Sequence, residues 1–195
     1  MRFGNAQNFF PDDVSNSYVI RYYAAMKELR NCRRYPLFWL QYAIACLFAR
    51  DFERSGTFFA SAYSFAKESN FRTFQIDNHY ARYLLLRSIH YGVPSQAMDA
   101  FRSAQKLIFE QMRRERLHYP YRTAILIGDW YDTFGDQITY DQLQEVKRAA
   151  SFIAARISEL PEMTQQHRDI AECYKRMRSI IDGSSGNNME ARRRQ

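Results

Sequence analysis

The amino-acid sequence predicts an all-α protein of stacked antiparallel helical hairpins, about eight helices in all, and three observations predict it. Apolar residues recur at steps of three and four along most of the 195 residues, the period of an amphipathic helix. Glycine (7) and proline (5) are scarce, which leaves little turn chemistry for a sandwich or barrel. The intervals between periodic segments are short, about two to six residues, so consecutive helices run antiparallel.

Taken in order, Val14, Tyr18, Tyr22, Met26 and Leu29 step by four and three and define the apolar face of a first helix. Pro11, Asp12 and Asp13 precede it, acids suited to a helix N-terminus. Pro36 opens a second helix over 37–49, and Arg50-Asp51 breaks it from a third over 52–68. A fourth spans 73–91 and ends at Gly92 and Pro94; its Tyr80–Leu86 stretch, apolar nearly all round, reads as the central buried helix. The fifth covers 95–117, and Pro120 opens a sixth that stops near Gly135. Thr139 with Gln142 predicts a capping box for the seventh, which ends before Pro161. The eighth spans 165–182, giving a helical domain over 1–182 and a disordered basic tail over 183–195.

Within the second and third helices, bulky and small residues alternate. Trp39 and Ala43 are followed by Phe52, Ser55, Phe59 and Ala62, an order that lets two helices approach closely with aromatic knobs beside small residues. This order resembles a tetratricopeptide repeat over about 34 residues, from Pro36 to Ser69. It departs from that family where Tyr42 replaces the usual Leu and where the closing Pro is absent. Ala97, Phe101 and Ala104 form a second, weaker copy that lacks the Trp. The resemblance implies a tetratricopeptide-like α-solenoid. Separately, Phe38-Trp39-Leu40-Gln41-Tyr42-Ala43 and the run from Phe74 to Arg82 resemble the C-terminal helical regions of bacterial conflict-system proteins. Those regions follow sirtuin-like or P-loop NTPase effectors. This implies the sensor or oligomerisation part of an anti-phage defence protein.

The net charge of +7 includes three arginines and one glutamate beyond Gly183. Such a balance permits a nucleic-acid or acidic-protein partner without demanding one. Three widely spaced cysteines in helical patterns, with no leader pattern at the N-terminus, point to a reducing, cytoplasmic setting. The longest apolar run, 37–49, contains Gln41 and falls short of the roughly 18 residues needed to cross a bilayer.

The motifs of chemistry are missing from the sequence. There is no Cys-x-x-Cys, no His pair at helical spacing, no glycine-rich phosphate loop and no Gly-x-Ser-x-Gly. His79 and His90 stand about 16 Å apart along one helix, too far to share an ion. Asp129 and Asp132 read as an acidic outer stripe. No catalytic residue, metal or small-molecule cofactor is therefore expected, and a sirtuin-like or NTPase activity does not reside in this chain.

Candidate contact residues come from two places. Gln75, Asn78, His79 and Arg82 form a polar stripe on the fourth helix, with Asp77 beside it. Either they bond to neighbouring helices, or they line a groove and grip a partner peptide, as tetratricopeptide grooves imply. A catalytic Asp77–His79 pair is disfavoured, because residues at i, i+2 diverge around a helix. Tyr119, Tyr121 and Arg122, with His118 and Pro120, form an aromatic and basic corner that is either a packed hinge or a contact surface. Basic clusters at Arg30/Arg33/Arg34, Arg113/Arg114/Arg116 and Lys175/Arg176/Arg178 suit helix C-termini. The expectation is a non-catalytic protein-interaction or assembly module, acting through a protein partner or self-association. The alternative is a basic helical module that binds nucleic acid.

Overall fold

The computed structural model describes residues 13–29, 31–114, 118–161 and 167–183. Among these residues the regular structure is helical, with no strand. The helices are α1 (Asp13–Met26), α2 (Pro36–Phe48), α3 (Phe52–Glu68), α4 (Phe74–Tyr91), α5 (Pro94–Arg114), α6 (His118–Phe134), α7 (Tyr140–Ser158) and α8 (Arg168–Asp182). Short 3-10 turns occupy Cys32–Arg34 and Gly135–Gln137. The tail beyond Gly183, Arg30 and Arg116 lie outside the described residues.

Local chemistry sets the boundaries. Pro36 sits in the first turn of α2, where a missing N–H is harmless. Asp51 caps α3, its carboxylate accepting from the Arg54 N–H at 3.0 Å. The capping box forms as the sequence predicts: Thr139 Oγ1 accepts from the Gln142 N–H at 3.3 Å, and the Gln142 side chain accepts from the Thr139 N–H at 2.8 Å. Helix α6 begins two residues before Pro120, which falls within the first turn rather than opening it. Arg50 and Asn70 hold left-handed backbones (φ 57° and 52°) at the ends of the α2 and α3 segments, positions that favour glycine.

The chain divides into two compact units, residues 1–83 and 84–195, with α4 running through the boundary. In the first unit α2 is flanked by α1 and α3. The α2–α3 hairpin is antiparallel and closely fitted, and the residues of the alternating pattern, Trp39, Ala43, Phe52, Ser55, Phe59 and Ala62, are all buried. Ser55 Oγ donates to the Ala43 carbonyl at 2.9 Å, which satisfies the one hydroxyl in that seam. The Trp39 ring lies parallel to Phe65 at 5.9 Å, and its indole N–H donates to the Arg33 carbonyl at 2.7 Å. Gly56 faces Tyr83: a Cβ there would meet the phenol oxygen at 2.6 Å, so only glycine fits without a shift.

The expectation that α4 is the central buried helix is corrected. The helix buried on nearly every side is α2, with only Leu37, Gln41 and Phe48 partly open, whereas Tyr80, Arg82, Leu84 and Leu86 of α4 are half-buried. The charge-free composition of α2 decides this, since α4 carries the two cations Arg82 and Arg87, the second of them exposed.

In the second unit α5 packs on α6 and α7, and α8 lies against both α6 and α7. Phe101 is fully buried and meets Trp130 of α6 at 4.8 Å. Gly128 lets α8 come close: a Cβ there would sit 3.1–3.3 Å from the Arg176 stem. The Arg176 guanidinium then bridges Asp129 and Asp132, the second at 2.7 Å. The two acids thus hold α8 to α6 instead of forming a plain solvated stripe.

Candidate partner-binding surface

Helix α1 carries apolar residues on two faces. Val19 and Tyr23 are buried, with Tyr23 stacked on Tyr42 at 5.5 Å and edge-on to Phe38 at 5.7 Å. Tyr18, Tyr22 and Leu29 from the predicted apolar stripe point to solvent instead, at 70%, 50% and 51% exposure. The stripe was legible, but its orientation is set by the neighbouring residues. Val19 and Tyr23 repeat the same four-residue step one position on, and Tyr23 offers the flat face that Tyr42 requires.

The outer stripe is regular. Within α1, Tyr18, Tyr22 and Ala25 advance by 4-3 residues and fall within an arc of about 60° at 100° per residue. Past the end of α1 the backbone tightens, with Glu28 N–H bonding to the Ala25 carbonyl at 3.2 Å and Leu29 N–H to that of Met26 at 3.0 Å, so Leu29 follows the helix on a turn. Tyr35 is also exposed a few residues on. Arg21 lies at the edge of the stripe and is exposed. Arg33 folds back over the end of the helix, pairing with Glu28 at 3.1 Å and donating to the Lys27 carbonyl. Burial raises the Tyr23 phenol to about 12, helped by the adjacent Tyr22 ring, so the inner face stays neutral across physiological pH.

The polar stripe on α4 is split. Gln75 is exposed, His79 is half-buried and Asn78 is buried at 7% exposure. The Arg82 guanidinium lies over the Phe48 ring at 5.5 Å. Asp77 accepts from Tyr63 Oη at 2.8 Å and from Thr73 Oγ1 at 2.9 Å, tying the start of α4 to α3. Burial, then the carboxylate, push the Tyr63 phenol upward, so this donor stays protonated. These contacts account for Asp77 and Arg82 as packing groups.

At the corner before α6, Tyr119 is 47% exposed and Arg122 faces Asp169 at 3.8 Å. Tyr121 is a correction: at 1% exposure its ring belongs to the core and is not a contact residue. Proximity to Pro120 decides this, because the helix starts at His118 and turns position 121 inward. The His118 side chain lies outside the described residues.

Several cations of the basic clusters are engaged locally. Arg114 pairs with Glu110 at 2.6 Å, Arg178 with Asp182 at 3.2 Å, and Arg113 lies over Phe152 at 6.0 Å. Arg156 donates to the Met112 carbonyl at 3.0 Å, and Lys147 to that of Ile181 at 3.2 Å, each closing a helix C-terminus. A shallow groove between the end of α4 and α5 holds about 240 Å³, with Arg87 on one wall and Asp99 on the other. That is below the roughly 300 Å³ at which small-molecule sites begin.

Among the described residues no cluster of His, Cys, Asp or Glu is arranged to hold a metal ion. No described helix is long and apolar enough to cross a membrane. Compared with family models, curated proteins and solved structures, the chain matches none.

Proposed function

We propose that this chain is a non-catalytic protein-interaction or assembly module that receives its partner on the outer face of α1. The observation that carries the reading is the exposed 4-3 row of Tyr18, Tyr22 and Ala25 on α1, followed by exposed Leu29 just past its end. Exposed apolar side chains are ordinary when scattered, but a row at helical register invites a second helix. Tyrosine suits such a surface, since a rigid ring with a polar tip tolerates both water and a packed interface. The close α2–α3 hairpin supports the tetratricopeptide-like reading at the level of one helix pair. The place in an anti-phage system rests on sequence resemblance alone, and a cytoplasmic setting rests on the cysteine usage.

The nucleic-acid reading has weaker support, because Arg114, Arg176 and Arg178 already face carboxylates. Phosphate binding needs cations free to release counterions.

The test is capture from an extract of the native host with the full chain and with Tyr18→Ser/Tyr22→Ser. A partner held by the first and lost by the second supports the reading. A partner held equally by both, or none held by either, contradicts it.

A further inference from the structure

The outer face of α1 has a chemistry that selects among partners. Its seam spacing is that of core positions in paired helices, where knobs step by four and three. Ala25 sits between Tyr22 and Leu29, and a small residue at that point allows close approach of another backbone helix. Cations outnumber acids around it: among the described residues, α1 and the turn after it carry Arg21, Lys27, Arg33 and Arg34 against Asp13 and Glu28. Arg33 already faces Glu28 at 3.1 Å, so the local excess of positive charge is not compensated by that acid. A field of this sign extends roughly 10 Å at ordinary salt, enough to act on any helix laid in the seam.

We infer that the α1 seam binds an amphipathic helix of a different protein, one with apolar residues at the same spacing and acidic residues flanking them. The inference rests on the protein-interaction reading above and adds the partner's chemistry. A second copy of this chain is a poor occupant, because its α1 would bring the same excess of cations to the interface. An acidic-flanked helix satisfies both features at once: its apolar row covers Tyr18, Tyr22 and Leu29, and its carboxylates meet Arg21 and Arg34.

The experiment titrates the full chain with two synthetic helical peptides of about four heptads that share one leucine seam, one flanked by Glu and the other by Lys. A uridine oligonucleotide is a third arm, and sedimentation velocity of the chain alone a fourth. The Glu-flanked peptide is expected to bind at least about tenfold tighter than the Lys-flanked one, with the gap shrinking at high salt. Tyr18→Ser/Tyr22→Ser is expected to lose about tenfold for the Glu-flanked peptide with an unchanged circular-dichroism melt. Arg21→Glu/Arg34→Glu is expected to reverse the preference between peptides. Equal binding of the two peptides, binding of neither, tyrosine-dependent binding of the oligonucleotide, or tyrosine-dependent self-association would each overturn the inference. Equal peptide binding together with tyrosine-dependent capture of a host protein removes only the partner's chemistry. Loss of tyrosine-dependent capture removes the broader reading too.

Discussion

Gly128 and Arg176 make a prediction whose sign depends on the background. Glycine inside α6 costs about 1 kcal/mol of helix stability relative to alanine, so Gly128→Ala carries that gain. Against it stand contacts of 3.1, 3.2 and 3.3 Å between the new Cβ and Arg176 Cδ, Cβ and Cγ. Overpacking of this kind costs roughly 1–3 kcal/mol. The Cβ of Arg176 is held by its bond to the α8 backbone and cannot swing aside with a change of rotamer, and moving the stem pulls the guanidinium from Asp129 and Asp132. Gly128→Ala is therefore expected to destabilise by about 0–2 kcal/mol. Arg176→Ala removes two of the three close atoms and the ion pairs. Those pairs are a third exposed or more, so their loss costs no more than about 1 kcal/mol each. In that background Gly128→Ala is expected to be neutral or stabilising, a coupling of at least about 1 kcal/mol. Urea melts of the four proteins, followed by circular dichroism, measure it. Effects that add within about 0.5 kcal/mol would refute the steric argument.

Further outcomes follow from the same packing. Trp39→Ala should cost roughly 3–5 kcal/mol in a urea melt, and Trp39→Phe a smaller part that includes the bond to the Arg33 carbonyl; a loss under about 1 kcal/mol for alanine would refute it. Thr139→Ala removes one side of the capping box and should lower stability by about 1 kcal/mol, whereas Thr139→Ser should leave it nearly unchanged. The alkaline limb tests the buried acids: burial raises the Cys46 thiol and the Tyr23 phenol to about 12 each. In the unfolded chain such groups ionise from about pH 8.5 for cysteine and about pH 10 for tyrosine, so there the unfolded state holds fewer protons. Their contribution is complete below those values and falls as pH rises toward the folded values. The urea midpoint should be flat with respect to these groups below about pH 8.5 and decline above it, and a midpoint that rose there would contradict the assignment.

Much of the fold was legible because it is written in local chemistry. The α3 limits, the Thr139 capping box and the buried Trp39–Ala43–Phe52–Ser55–Phe59–Ala62 seam follow from spacing and side-chain size. What failed was choice of face. The Tyr18/Tyr22 and Val19/Tyr23 rows have the same period, and only the position of Tyr42 and Phe38 across the interface tells which turns inward. Tyr121 was misplaced for a related reason: an aromatic beside a proline gives no sign of exposure until the helix start is known. The Asp129/Asp132–Arg176 bridge joins residues more than forty positions apart, and no local pattern links them. Gly128 was the available hint, a glycine inside a helix where close approach is one of few reasons for it.

Helix α1 presents Tyr18 and Tyr22 outward, as the proposed binding seam, while Tyr23 faces the core. Hydroxyl-radical footprinting of these three tyrosines, in the purified chain and again in native-host extract, tests it most directly. Rapid labelling of Tyr18 and Tyr22 in the purified chain, slow labelling of Tyr23, and protection of the outer pair in the extract are expected. Tyr23 labelled as fast as Tyr18, or an outer pair equally reactive in both settings, would contradict it.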